Sequence, residues 1–357
     1  MKSIGILGTA KNTGKTTTTL YLLRQIEEQG EQAGITSIGL DGEEHDFVTR
    51  LPKPRMELPC GALVLTAERC LEQNEAKVEI LERTGLRTSL GELLLLRVKE
   101  SGRILVAGPH RKQLLEKALN YFSRWGTDVL LVDGALNRAV PMTVLDGVIL
   151  TTGAALVPDV EGIVRHTSAI IDLFQLPMEE EFTAASTQPQ VVFWDGEKAV
   201  LNLRSLLSEE YLPDFVAHIN KPVRAITLPV VCAPKLVEKF LKLGGAHFTR
   251  SRLIFSDPFR MLAGGNPIEW DAVIQFHRQR GGQVRCFMQK PLHCITVNPF
   301  FPRYDPQTAT YKPDRLDAVK LFSALRKAAM PLPVFDLHVE KNVDLWKICQ
   351  GGEINES

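Results

Sequence analysis

The sequence predicts an α/β fold with a mainly parallel sheet, followed by a second α/β domain. Short apolar runs alternate with helical patterns along most of the chain, an order typical of parallel strands that are joined by helices. A glycine-containing stretch at residues 8–17 separates the first apolar run from the first helical pattern. The length of 357 residues exceeds one average domain and favours about two.

The stretch at residues 8–17 has the composition of a phosphate-binding loop. Such a loop needs backbone N–H groups that point inward and the positive end of a helix behind them. We expect Lys15 to reach the β- and γ-phosphates as a catalytic residue, and the Thr16 hydroxyl to bind Mg²⁺. The residues expected to contact the bound nucleotide are Gly8, Lys11, Asn12, Thr13, Gly14, Lys15, Thr16 and Thr17.

The spacing of this stretch departs from the G-x-x-x-x-G-K-[ST] pattern, because the chain has Thr9 where a glycine is expected and Gly8 comes one residue early. The context compensates for this departure. The helical pattern over residues 16–29 ends at Gly30, and a second strand pattern follows at 33–40, as a βαβ unit requires. A purely structural turn with an idle lysine remains an alternative. A dinucleotide fingerprint fails, since G-x-G-x-x-G spacing is absent.

Two acidic residues are predicted to meet the loop at the carboxyl edge of the sheet. Asp41 follows the second strand pattern, and Asp133 ends the apolar run at residues 129–132. With Thr16 they form the predicted Mg²⁺ site, because all three offer hard oxygen ligands. Asp133 is also a predicted catalytic residue that orients the metal or a water. The alternatives are a solvated acidic turn for Asp41 and an ordinary strand end for Asp133.

The remaining pattern predicts a first domain at residues 1–176, a linker at 177–190, a second α/β domain at 191–350 and a disordered tail at 351–357. Within the first domain, Ser89 to Glu92 reads as a capping box, so the leucine-rich run after it is predicted to be a helix that ends before Gly102.

The charge balance argues against a nucleic-acid or membrane partner. The chain has 42 basic and 42 acidic residues and no basic tract of five or more. A small molecule or another protein is therefore the expected partner. No signal-peptide pattern opens the chain, which favours a cytoplasmic location. The six scattered cysteines indicate incidental thiols in a reducing compartment.

ATP is the expected nucleotide. Asn220-Lys221-Pro222-Val223 matches a guanine-reading N-K-x-D tetrad only superficially, because Val223 stands where an aspartate must pair with the base. The expected cofactors are therefore ATP and Mg²⁺.

The loop, the Asp after the second strand and the apolar strand that ends in Asp133-Gly134 resemble the P-loop class of dethiobiotin synthetase, the molybdopterin-guanine-dinucleotide accessory protein and the MinD-type ATPases, over about residues 1–175. MinD-type members carry a lysine five residues before the loop lysine. Here Ala10 holds that position and Lys11 follows it.

More narrowly, residues 10–17, 132–135 and 150–154 look like the P-loop subunit of the lysine 5,6-aminomutase reactivase. This resemblance implies an ATP-driven chaperone that, with a second ATPase subunit, replaces inactivated adenosylcobalamin on an aminomutase. An ATP-dependent small-molecule ligase or kinase of the dethiobiotin synthetase type is the alternative. A third alternative is a fold that binds nucleotide without turnover. A homodimer also stays open.

Overall fold

The computed structural model describes residues 1–39, 56–182, 188–200, 206–207, 212, 216, 219–308, 310–340 and 342–352. The chain forms two compact units. The large unit contains Met1–Val164 and Pro291–Ser357, and the inserted unit contains Arg165–Lys290. The predicted metal residue Asp41 lies outside the described residues, as does the part of the predicted tail after residue 352.

The strands of the described chain are β1 Lys2–Gly8, β2 Ala33–Ser37, β3 Met56–Leu58, β4 Leu63–Ala67, β5 Lys77–Thr88, β6 Gly91–Glu100, β7 Gly102–Ile104, β8 Val129–Ala135, β9 Gly147–Gly153, β10 Gln190–Phe193, β11 Lys198–Val200, β12 Val223–Leu228, β13 Arg252–Phe255, β14 Gln283–Cys286, β15 Leu292–Asn298, β16 Phe300–Asp305, β17 Thr310–Arg315 and β18 Val334–Phe335. The α-helices are α1 Lys15–Glu28, α2 Lys112–Arg124, α3 Val160–Phe174, α4 Pro234–Leu243, α5 Pro258–Gly264, α6 Pro267–Gln279, α7 Ala318–Ala329 and α8 Leu345–Cys349.

A nine-stranded sheet forms the centre of the large unit, in the order β18-β15-β9-β1-β8-β2-β4-β6-β5. The strands from β18 to β4 run parallel, and β6 and β5 add an antiparallel edge. The central strand β1 is buried from Ser3 to Gly8, as expected of a parallel strand that is covered on both faces. The predicted α/β class with a large, mostly parallel sheet is confirmed.

The C-terminal segment completes the core of the large unit over α1. Helix α1 buries Leu22, Leu23 and Ile26 in the same cluster as Trp346 of α8. Hydrogen bonds join the two segments, because the Tyr21 hydroxyl donates to the Val343 carbonyl at 2.9 Å and the Trp346 N–H donates to Gln25 Oε1 at 3.1 Å. Residues far apart in sequence therefore pack together in one hydrophobic core.

This arrangement corrects the predicted domain boundaries. Strand β15, which was expected in a second domain at 191–350, pairs in parallel with β9 of the large sheet. The predicted linker also belongs to a folded unit, since the Glu179 N–H donates to the Cys286 carbonyl at 2.8 Å and the Glu179 side chain is buried. The predicted tail starts too early, because Gly351 and Gly352 donate to carbonyls of α8 and close that helix.

The predicted helix after Ser89 is wrong. Residues 91–100 form strand β6, which pairs with both β4 and β5 in antiparallel register. Gly91 has φ of 101° and belongs to the turn between β5 and β6, where the Thr88 hydroxyl donates to its carbonyl at 3.0 Å. The four consecutive leucines are buried between neighbouring strands, so tertiary pairing overrides their helix propensity.

The inserted unit has its own sheet, in the order β11-β10-β12-β13-β14, with β12, β13 and β14 parallel. Trp270 of α6, Phe240 of α4 and Phe259 of α5 are fully buried and supply the bulk of its core. Within the described residues of both units, all six cysteines are free thiols, and no helix is long and apolar enough to cross a membrane.

Candidate functional site

A cavity of about 700 Å³ lies at the carboxyl ends of β1, β8 and β2 in the large unit. Residues of the loop between β1 and α1 form one side, and residues 133–138 after β8 form the other. Among the predicted site residues, Gly8, Lys11, Asn12, Gly14, Lys15, Thr16, Thr17 and Asp133 line it. The fold thus brings together side chains whose sequence positions span more than a hundred residues.

The loop before α1 has the backbone shape of an anion cradle. Asn12 and Gly14 adopt left-handed conformations, with φ of 62° and 96°. Left-handed residues turn the backbone sharply, which lets successive N–H groups converge on one point. Gly14 precedes α1 and makes no side-chain cap, so the N–H groups of the first helical turn have no capping side chain. A helix N-terminus of this kind favours a negative charge.

Lys15 folds back over the loop, and Gly8 makes room for it. The Lys15 ammonium donates to the Ala10 carbonyl at 3.3 Å. A Cβ atom at position 8 would lie 2.6 Å from Lys15 Cδ and 2.7 Å from Lys15 Nζ. A side chain at position 8 would therefore require Lys15 to leave this position. The geometry therefore gives a physical reason for the glycine at position 8, one residue earlier than the usual pattern.

Hydrogen bonds of threonines in the loop and in β9 hold the loop in place. The Thr13 hydroxyl donates to the Ala10 carbonyl at 2.9 Å and lies 3.2 Å from the Thr151 hydroxyl at the end of β9. The Thr9 N–H donates to the Thr151 carbonyl at 3.0 Å. Thr13 is buried and its side chain holds the loop in place, so any contact of this residue with a ligand would be made by its backbone N–H.

Asp133 lies beside the loop on strand β8. Its backbone is paired between Ile6 of β1 and Ser37 of β2, and its carbonyl accepts a hydrogen bond of 2.6 Å from the Ile38 N–H. Asp133 and Thr16 line the same cavity. No cluster of three or more His, Cys, Asp or Glu side chains suited to a metal occurs in the described parts of the chain.

Asn298 at the end of β15 is a site residue that sequence reasoning missed. Its side-chain N–H donates to the Asn12 carbonyl at 2.8 Å, and it lines the cavity. The sequence signal at this position is the Asn298-Pro299 step directly after a strand, which is compatible with a binding turn and equally typical of an ordinary loop. The contact joins the second segment of the large unit to the loop of the first.

The far wall of the cavity is apolar and was also not predicted. It consists of Ile38, Met56 and the three residues Ile104, Leu105 and Val106. Arg138 borders this wall and lies against Gly39, where an added Cβ would come within 2.4 Å of Arg138 Nη1. The lining of the cavity therefore contains apolar residues in addition to the polar residues of the loop.

Comparison with known proteins identifies no relative. No protein-family model matches the chain, and neither curated proteins nor solved structures give a match. The residues and geometry of the site are therefore the basis for a functional proposal.

Proposed function

We propose that the chain is a P-loop protein that binds ATP with Mg²⁺ in this cavity. The main support is the position of Lys15, which folds over Gly8 inside a loop with left-handed residues at Asn12 and Gly14. A lysine, convergent N–H groups and a helix N-terminus at one point form a site for a polyphosphate.

The residues fit the cofactors. The phosphates would be held by the N–H groups of the loop and by the Lys15 ammonium, for which the space above Gly8 is kept free of a side chain. Mg²⁺ would be held by the Thr16 hydroxyl and Asp133, and Asp41 is proposed to hold a water bound to the metal. A magnesium–nucleotide site needs only one or two protein ligands, in agreement with the absence of a larger metal cluster among the described residues.

The proposed chemistry is slow ATP hydrolysis. When bound, Mg²⁺ supplies positive charge that neutralises the phosphate oxygens. Lys15 holds the transferred phosphoryl group by its ammonium charge. The Asp133 carboxylate accepts a hydrogen bond from a water and orients it. Catalysis of this kind is positioning and charge stabilisation, which a rigid loop between β1 and α1 is suited to provide.

The proposed role is that of a reactivase subunit for an adenosylcobalamin-dependent aminomutase, together with a second ATPase. The resemblance of residues 10–17, 132–135 and 150–154 supports this role. These segments meet in the large unit, because Thr151 braces the loop and Asp133 lies beside it. The inserted unit, with its own core, adds a body that nucleotide binding does not require.

A small-molecule ligase or kinase is the second candidate. The apolar wall formed by Ile38, Met56 and residues 104–106 favours it, because this wall extends the cavity beyond the loop. A volume of about 700 Å³ falls within the range of ligand pockets and leaves room for an organic acceptor.

Nucleotide binding is tested by thermal unfolding with and without Mg²⁺ and ATP. At ligand concentrations of 100 times Kd, the parent should gain about 2.7 kcal/mol of unfolding free energy. Lys15→Ala should lose this gain and keep its fold, since loop lysines contribute little to a core. Lys99→Ala, which removes only an exposed ion pair with Glu79, is the matched control and should behave as the parent. An unchanged gain in Lys15→Ala would refute the site.

The two roles are separated by steady-state ATPase assays. We expect slow basal turnover that rises when an adenosylcobalamin-dependent aminomutase and its companion ATPase are added, because a site completed by association turns over poorly alone. The same assay is run with a panel of small amines and carboxylic acids. Fast turnover with one of these compounds, without any response to the proteins, would favour the ligase or kinase.

A further inference from the structure

Strands β16 and β17 form a separate two-stranded antiparallel ribbon, which begins two residues after Asn298. Opposite residues of such a ribbon project to the same side, and successive residues alternate. One side therefore carries what we call the aromatic face. Its members are Phe300, Pro302, Tyr304, Tyr311, Pro313 and Arg315.

The other side of the ribbon is charged and internally paired. Arg303 forms an ion pair with Asp314 at 3.2 Å, and Lys312 forms one with Asp305 at 2.6 Å. Both carboxylates of the ribbon thus lie on this side and have basic partners. Arg315 is the one charged residue of the aromatic face, and no ion pair of Arg315 occurs within the described residues.

The aromatic face is exposed. Phe300 is 41% and Tyr304 is 52% exposed; the Phe300 ring packs edge-on against His338 with 5.7 Å between centroids, and the rings of Tyr304 and Tyr311 lie 5.3 Å apart. A two-stranded ribbon is only marginally stable in water unless something packs on it, and large exposed aromatic groups mark interaction sites. These properties indicate that the face is covered in a complex.

The prolines decide how a partner can bind. Pro302 and Pro313 stand opposite each other, so each strand lacks a backbone donor at its middle. This discourages the addition of a further strand at either edge. A partner must therefore bind the side chains of the face.

We propose that the aromatic face is the docking surface for a different protein chain, which presents an apolar patch and a carboxylate for Arg315. Tyrosine, phenylalanine and arginine are the side chains that anchor protein interfaces. A symmetric dimer through this face does not fit, because two copies would bring two cations together without a carboxylate. The inference deepens the proposed function and rests on it, since it locates the partner-binding surface of a nucleotide-dependent chaperone.

Asn298 connects this surface to the loop. Its side-chain oxygen accepts a hydrogen bond of 3.2 Å from the Phe300 N–H, while its amide group donates to the Asn12 carbonyl. One side chain thus touches both the first residue of the ribbon and the loop before α1. The docking surface and the loop are therefore linked by the two hydrogen bonds of one side chain.

The test measures binding of the full chain to two purified probe proteins, an adenosylcobalamin-dependent aminomutase and its companion ATPase, by interferometry with Mg²⁺ and ATP. The double variant Tyr304→Ser, Tyr311→Ser and the variant Arg315→Glu should each bind at least about tenfold more weakly than the parent. Arg315→Lys should keep most of the affinity. Lys312→Ser, on the charged side of the same ribbon, is the matched control and should bind as the parent.

Two further measurements separate the outcomes. All variants should keep the stabilisation by Mg²⁺ and ATP, which shows that the fold and the loop are intact. Sedimentation of the parent should show a monomer. Unchanged binding in the tyrosine variant, or no binding of either probe to the parent, would overturn the docking surface. A parent dimer that the tyrosine variant dissociates would also overturn it, in favour of self-association. If the parent binds no nucleotide but still binds a probe protein in a tyrosine-dependent way, the proposed function would be refuted and the docking surface would stand.

Discussion

The Lys15 side chain occupies the space that a side chain at position 8 would need, since a Cβ there would lie 2.6 Å from Lys15 Cδ. In Gly8→Ala the flexible lysine must move, while the buried strand behind it keeps its pairing. We therefore predict at least about tenfold weaker ATP binding at nearly unchanged stability. Calorimetric titration of the parent, both single variants and the double variant Gly8→Ala, Lys15→Ala checks this. The double variant should bind no more weakly than Lys15→Ala, and additive losses would contradict the shared mechanism.

Asp133 is predicted to act on the metal more than on ATP itself. Asp133→Asn keeps the shape of the side chain and removes the charge, so hydrolysis should slow by about tenfold or more while ATP affinity changes little. The dependence of the rate on Mg²⁺ concentration should weaken as well. Asp128→Asn, at the exposed opposite end of the same sheet, is the control. Equal losses of affinity and rate would show that Asp133 acts only in binding.

At the residue scale, local patterns predicted which side chains meet at the cavity. Lys15, Thr16 and Asp133 were predictable because a parallel sheet places successive strand ends at one edge. Asn298 was not, because its role depends on pairing between β15 and β9, which no local pattern encodes. Thr13 was given a ligand role because every loop residue is polar or small, whereas its hydroxyl is used to brace the loop.

At the element scale, β6 shows where propensity misleads. Four leucines after a capping-box pattern favour a helix, and nothing in the local sequence indicates two neighbouring strands. The burial of these leucines and the hydrogen bonds to β4 and β5 determine that the segment is a strand. Elements with their own local signals behave otherwise. Helix α4 begins at Pro234, and proline is favoured in the first turn of a helix.

Helix α8 is only five residues long, but we predict that it contributes strongly to the stability of the large unit. Trp346 is 2% exposed in the cluster that includes α1, so Trp346→Ala should cost about 3–5 kcal/mol. Native-state hydrogen exchange of the β1 and β9 amides measures this cost in the large unit. Trp194→Ala is the control, because Trp194 is 65% exposed in the inserted unit and its removal should leave those amides unaffected. A cost below about 1 kcal/mol for Trp346→Ala would contradict the packing role.

At the scale of the whole molecule, the large unit should not fold from its first segment alone. A fragment of residues 1–176 lacks β15, the neighbour of β9, and lacks the segment that covers α1. We predict that this fragment shows no cooperative unfolding and binds no ATP, as followed by circular dichroism and calorimetry. Mixing it with a fragment of residues 291–357 tests whether the missing segment restores the fold. A fragment 1–176 that unfolds cooperatively and binds ATP would contradict the two-segment unit.

The sequence led to the class of the fold but to the wrong division of the chain. Alternating strand and helix patterns identify an α/β protein wherever they occur, and they do not show which sheet each strand joins. The polar stretch at 177–190 was interpreted as a linker because of its composition. Within it, Glu179 is buried against Arg252, so its charge serves an ion pair inside the inserted unit.

The division of the large unit into two segments also sets an order of events during synthesis. The loop before α1 leaves the ribosome early, but the amide that binds its Asn12 carbonyl belongs to Asn298. Between β9 and β15 the ribosome must translate the whole inserted unit, which takes roughly 6–25 s at about 5–20 residues per second. The nascent chain therefore carries an unfinished sheet edge at β9 during this interval. The inserted unit has time to fold first, and the loop before α1 gains its contact with Asn298 only after that unit has been translated.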